Sequence, residues 1–100
     1  MPTDLIERTL AAPETLGLPT RLAFREEAVA LLDGMPHGAG RLVVDLSRTR
    51  KVDSAGLSAL VLVQRRAEES AAAVVLRGVR DELRFLIALS RLSDLFVFEE

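Results

Sequence analysis

The sequence has 100 residues and contains no cysteine, tryptophan or tyrosine. Without cysteine it cannot form a disulfide framework, a thiolate metal site or a thiol nucleophile. With four phenylalanines as its only aromatic residues, its core must be built from leucine, valine, isoleucine and alanine. No apolar run approaches the roughly 18 residues of a membrane span, and the N-terminus lacks the basic and apolar regions of a signal peptide. We therefore expect a cytoplasmic protein that does not insert into a membrane.

An excess of charge of one sign is also missing, since 13 basic and 15 acidic side chains leave a formal net charge of −2. The arginines alternate with acids, so the sequence gives no electrostatic footprint for direct nucleic-acid binding. One histidine and scattered carboxylates do not make a metal site, and we find no cofactor motif. The length suits a single domain, which we expect to cover residues 1–100.

Strand-like and helix-like patterns alternate along the chain. Helices are predicted from Pro19 to Gly34, from Ser54 to Glu69, and after a capping Asp81. Strands are predicted at residues 5–11, 41–46, 73–77 and 95–98. This alternation predicts an α/β fold, with a mostly parallel, mixed sheet of four to five strands and helices packed on it. Binding sites in such folds tend to lie at the carboxyl ends of the strands.

Asp53-Ser54-Ala55-Gly56-Leu57 lies at such a strand-to-helix junction. Asp53 or Ser54 can accept a hydrogen bond from the first backbone N–H groups of the helix. Gly56 lowers helix propensity by about 1 kcal/mol, so we interpret Ala55 and Gly56 as small residues that leave the Ser54 hydroxyl open to another protein. A phosphoryl group on Ser54 would lie near the positive end of the helix dipole and add nearly two negative charges. It could therefore switch an interface while the domain stays folded.

The runs at residues 42–47, 52–57, 74–78 and 86–96 together resemble a STAS domain, in the order of that family. The family includes the bacterial anti-sigma factor antagonists, which regulate transcription and are not enzymes. The resemblance implies a partner that is both an anti-sigma factor and a serine kinase of the histidine-kinase-like ATPase fold. It further implies Ser54 as the phosphoacceptor, a phosphatase that restores it, and partner binding by Asp53, Ser54, Ala55, Gly56 and Leu57.

One position departs from the family pattern. Many members carry an acid before the first helix that contributes to partner binding, and Gly17 stands at the matching place here. The departure is compatible with a second STAS role, as the subunit of a lipid-transporting ABC system that binds its cytoplasmic ATPase. The basic residues Arg48, Arg50 and Lys51 are either a solvated turn or attract an acidic partner or a phosphate.

A third hypothesis comes from another class of protein. Ser54, His37 and Asp45 could form the triad of a small serine hydrolase, because acyl transfer needs a base beside the nucleophile. The nucleophile-elbow motif of such enzymes is absent, and His37 lies between Pro36 and Gly38 in a predicted loop.

Overall fold

The computed structural model describes residues 5–99. Its main sheet has the strand order β1-β3-β5-β6, and every neighbouring pair is parallel. The strands are β1 (Ile6–Ala11), β3 (Gly40–Asp45), β5 (Ala73–Arg77) and β6 (Val97–Glu99). Two further short strands, β2 (Thr15–Leu16) and β4 (Lys51–Val52), pair in parallel outside the main sheet.

Three α-helices connect the strands: α1 (Arg21–Asp33), α2 (Ser54–Glu69) and α3 (Asp81–Leu89). A single 3-10 turn, Ser93–Leu95, precedes β6. The predicted α/β fold with a mostly parallel sheet is confirmed, and helix α2 and strand β5 begin and end at the predicted residues. No helix within residues 5–99 is long and apolar enough to cross a membrane.

The core lies between one face of the sheet and the helices, because strand side chains alternate between faces. Leu42, Val44 and Leu76 of the sheet are fully buried there. Helix α1 contributes Phe24, Ala28 and Leu32, α2 contributes Ala59, Leu60, Val63 and Ala67, and α3 contributes Leu83 and Ile87. These side chains hold the carboxyl ends of the strands and the start of α2 at one edge of the domain.

The opposite face of the sheet carries a network of four charged side chains. Arg41 pairs with Glu7 at 3.2 Å and with Glu99 at 2.8 Å. Arg77 also pairs with Glu99, at 2.8 Å, and approaches Glu7 at 3.9 Å. The network therefore links all four strands of the main sheet. The Arg77 guanidinium lowers the pKa of the Glu99 carboxyl.

One local prediction is wrong. The third helix is preceded by Arg80 rather than capped by Asp81, which is its first residue.

Three leucines near the first two helices are exposed: Leu18 in the loop before α1, Leu22 on α1 and Leu62 on α2. The sheet covers only one side of α1 and one side of α2. The apolar residues of each helix extend around the helix beyond that side, so some of the leucines stay at the surface.

Candidate functional site

The segment predicted as the site, residues 53–57, connects β4 to α2. Asp53 and Ser54 are exposed, Ala55 and Leu57 are half-buried, and Gly56 is buried. Strand β4 pairs with β2, so the segment also lies beside the loop that leads from β2 into α1. The site is therefore built from two stretches of chain about 35 residues apart.

The Asp53 carboxylate joins these two stretches. Its Oδ1 accepts a hydrogen bond from the Gly56 N–H at 2.9 Å, which makes Asp53 the N-cap of α2. Its Oδ2 accepts a hydrogen bond from the Leu18 N–H at 3.2 Å. The hydrogen bond from the Gly56 N–H, and to a smaller extent that from the Leu18 N–H, stabilises the charged carboxylate and lowers the pKa of Asp53. Asp53 thus fixes the β2–α1 loop against the start of α2.

Gly17 makes room for that carboxylate. A Cβ at position 17 would lie 2.8 Å from Cγ of Asp53 and closer still to one of its oxygens. Thr20 orders the same loop, because its hydroxyl accepts from the Gly17 N–H at 3.0 Å and donates to the Thr15 carbonyl at 2.8 Å. The glycine at position 17 and the aspartate at position 53 are therefore sterically matched.

Ser54 is the first residue of α2, and its side chain is exposed. Sequence reasoning left the cap to either Asp53 or Ser54, and the structure assigns it to Asp53. Among the described residues, the Ser54 hydroxyl has no hydrogen-bond partner. An exposed hydroxyl without an intramolecular partner can accept a covalent group or contact another protein at little cost to the fold.

Gly56 has a different role from the one predicted. It is buried, and a Cβ there would lie 2.7 Å from the Leu16 carbonyl carbon and 3.1 Å from Cγ1 of Val52. The interpretation that Gly56 keeps the surface open is therefore wrong, because this glycine lets the backbone of α2 approach β2. Its predicted part in partner binding stays a prediction.

Sequence reasoning missed the apolar surface beside Ser54. Leu18, Leu22 and Leu62 are 64%, 50% and 45% exposed. Leu22 and Leu62 border a shallow depression together with Ala55 and Ser58, on the side of α2 that faces α1. Apolar residues extend around α1 and α2 further than a single core-facing side requires, and this pattern could have indicated the surface.

The hydrolase triad does not form. His37 precedes β3 and Asp45 ends it, so the length of the strand, about 16 Å at 3.3 Å per residue, separates them. Asp45 instead accepts the Ser47 N–H at 2.9 Å, and hydrogen bonds from Ser47 lower the pKa of Asp45. Within residues 5–99, no group of three or more histidine or carboxylate side chains could hold a metal ion.

A family model described as "Mlab, STAS domain" matches residues 4–97. This chain belongs to the STAS domain family. No curated protein matches the sequence. The predicted STAS fold is confirmed by solved structures, which share the architecture at low sequence identity.

Three solved STAS-like structures illustrate the range of this similarity. A Thermotoga maritima protein described as an anti-sigma factor antagonist has 16% identity and a TM-score of 0.78, with 99% of this chain and 85% of that chain covered. Unphosphorylated SpoIIAA, an anti-sigma factor antagonist, has 15% identity and a TM-score of 0.71, with coverage of 100% and 84%. A sulfate transporter family protein from Wolinella succinogenes has 18% identity and a TM-score of 0.68, with coverage of 92% and 75%.

The STAS departure at Gly17 has a structural explanation. A Cβ at this position would meet the Asp53 carboxylate, so any larger residue needs Asp53 to shift and strains its hydrogen bonds to Gly56 and Leu18. An acidic side chain at position 17 would also bring a second carboxylate against Asp53, which like-charge repulsion disfavours. In this STAS domain, Asp53 is therefore the acid that lies between the β2–α1 loop and Ser54.

Proposed function

We propose that this STAS domain is a non-enzymatic regulatory protein of the bacterial cytoplasm that binds an anti-sigma factor. The partner is also a serine kinase of the histidine-kinase-like ATPase fold, and phosphorylation of Ser54 switches the binding. The observation that carries the proposal is the exposed Ser54 hydroxyl, which has no hydrogen-bond partner among residues 5–99 while Asp53 alone caps α2. Unmodified chain captures the partner, phosphorylated chain releases it, and a phosphatase restores the first state.

The position of Ser54 lets a phosphoryl group act on the interface rather than on the fold. The N-terminus of a helix carries about half a positive charge, which favours an added anion. The phosphoryl group brings about −1.5 to −2 charges and three acceptor oxygens. It would stand next to the Asp53 carboxylate, so the exposed surface becomes strongly negative. A partner that packs over unmodified Ser54 then meets repulsion, bulk and the cost of desolvating the phosphate.

The apolar side chains beside Ser54 supply the rest of the docking surface. Leu18 is exposed on the β2–α1 loop, and Leu22 and Leu62 are exposed at the depression between α1 and α2. Contiguous exposed apolar side chains mark interaction surfaces. In this proposal they bury area against the partner, while Asp53 and Ser54 provide polar recognition at one edge.

Phosphorylation of purified chain by a candidate kinase with ATP tests this function. Mass spectrometry should find one phosphoryl group on Ser54, and Ser54→Ala should accept none. Ser58→Ala is the matched control, because Ser58 is also exposed and lies one turn further along α2. If Ser54→Ala accepts phosphate at the wild-type level, Ser54 is not the phosphoacceptor.

A second candidate is the STAS subunit of a lipid-transporting ABC system, in which the same surface binds the cytoplasmic ATPase. Gly17 in place of the family acid favours it. Here Ser54 is an interface residue that is not modified. Binding to a purified ABC ATPase, lost in Leu22→Asp, together with no phosphorylation by any neighbouring kinase, would favour this candidate over the first.

A further inference from the structure

Helix α3 carries an apolar stripe that the fold does not bury. Its core-facing residues, Leu83 and Ile87, are buried. Phe85 and Leu89, on another side of the helix, remain 66% and 65% exposed, and Leu86 lies between them at the surface. A surface helix usually has one apolar side, towards the core. A second apolar side on so short a helix indicates a surface that contacts another molecule.

This stripe forms one wall of a groove of about 320 Å³. Phe85, Leu86 and Leu89 line the α3 side, and Lys51 and Val52 of β4 line the opposite side. The groove opens to solvent, with the exposed apolar side chains at its edge. An open groove with an apolar wall suits a segment of protein chain.

The rim of the groove is positively charged, although the chain as a whole has a net charge of −2. Arg50, Lys51 and Arg80 line it, and Glu82 is its one acid. In the part of the chain that the structure describes, neither Lys51 nor Arg80 has a carboxylate within 4.0 Å. Arg50 only approaches the exposed Glu14, at 3.9 Å. Arg80 donates one hydrogen bond, from Nε to the Thr49 carbonyl at 3.1 Å. Its remaining N–H groups and the Lys51 ammonium are available to an acidic ligand.

We propose that this groove binds an acidic amphipathic helix of the partner protein. Apolar side chains of that helix, spaced by one turn, pack on Phe85, Leu86 and Leu89, and its carboxylates meet Lys51 and Arg80. The inference rests on the proposed function, because it adds a second contact for the partner that reaches Ser54.

Two features favour this occupant. Val52 lines the groove and Ser54 follows two residues later, at most about 7 Å away between Cα atoms, so one partner can span both places. A symmetric pair of copies joined at the groove would instead bring the cations Arg50, Lys51 and Arg80 against the same cations.

The test uses labelled synthetic peptides of about 18 residues. One peptide has leucines at positions i, i+3, i+4 and i+7 with glutamates elsewhere, a second replaces the glutamates with lysines, and a third replaces the leucines with serines. Fluorescence anisotropy measures the binding, and amide NMR shifts locate it. We expect the Glu/Leu peptide alone to bind, with shifts in α3 and residues 49–52.

Surface variants make the assignment specific. Phe85→Ser, or Leu89→Ser as a second choice, should weaken binding at least about tenfold, as loss of a central apolar anchor does. Arg80→Gln should weaken it at low salt, with a smaller effect at high salt. Leu5→Ser, which removes a leucine of similar exposure just before β1, should change nothing.

Other outcomes would overturn the proposal. These are no binding of the Glu/Leu peptide, equal binding of the Lys/Leu peptide, or binding that Phe85→Ser and Leu89→Ser leave unchanged. Self-association of the wild type that Phe85→Ser abolishes would make a second copy the occupant. Dodecanoate that binds more tightly than the peptide would make the groove a lipid site. Ser54→Ala should not change the affinity for the peptide. The peptide assay therefore tests the groove independently of the phosphorylation switch.

Discussion

Replacing Gly56 with alanine tests whether α2 begins where it does because its backbone touches β2. The new Cβ would lie 2.7 Å from the carbonyl carbon of Leu16, whereas carbon atoms in contact sit about 3.5–4.0 Å apart. The start of α2 must therefore move by about 1 Å, because a backbone carbonyl cannot rotate aside. Overpacking of this kind costs about 1–3 kcal/mol, and alanine recovers at most about 1 kcal/mol of helix propensity. Because the contact is with backbone atoms, we take the upper end of that cost and expect a net loss of about 2 kcal/mol in the free energy of unfolding.

Urea unfolding followed by far-UV circular dichroism measures this loss, since the chain has no tryptophan or tyrosine for fluorescence. The unfolding temperature should fall by roughly 4–8 °C for each kcal/mol. Gly34→Ala is the matched control, because its Cβ would meet nothing closer than 3.6 Å and its φ is −82°. That variant should be unchanged or more stable by up to about 1 kcal/mol. If Gly56→Ala is as stable as Gly34→Ala, the close approach of α2 to β2 does not explain the glycine.

Three further predictions concern the charged groups. Gly17→Ala should lower the unfolding midpoint in the wild type but much less in an Asp53→Ala background, where the obstructing carboxylate is gone; equal losses in both would contradict the steric pairing. The N–H groups of Gly56 and Leu18 lower the pKa of Asp53 below its ordinary value of 3.8. The charged carboxylate therefore stabilises the folded state above pH 3.8, and this stabilisation is lost as the pH falls through the lower pKa of the folded state. The wild type should therefore exceed Asp53→Asn in urea midpoint at pH 7, and the two should converge below pH 3.8; a constant difference would refute this. Glu99→Gln should lower the midpoint at low salt and less at high salt, because the ion pairs are partly exposed.

Much of the fold could be predicted because its signals are local. Helix Ser54–Glu69 and strand Ala73–Arg77 follow from apolar periodicity and the residues that flank them. Strands β2 and β4 could not be predicted, because each has two residues and too little sequence to show a period. They pair only because the rest of the fold brings them together.

The position of residues 53–57 at a strand-to-helix junction was predicted, but their contacts were not. The sequence indicates a capped helix at Asp53-Ser54, yet it does not reveal that Asp53 also accepts from Leu18, 35 residues away. The same limit applies to Gly17 and Gly56, whose neighbours are distant in sequence. It applies to α3 as well, since apolar residues on two sides of a helix do not say which side faces the core.

The affinity of one purified anti-sigma factor kinase for unmodified and Ser54-phosphorylated chain tests the central claim most directly. Calorimetry should find tight binding by the unmodified chain and a loss of at least about tenfold on phosphorylation, because the added charge lies within the docking surface. Circular dichroism should give both forms the same unfolding temperature within a few degrees. Equal affinity of the two forms would contradict the switch, and weaker binding that accompanies unfolding would contradict its placement on the surface.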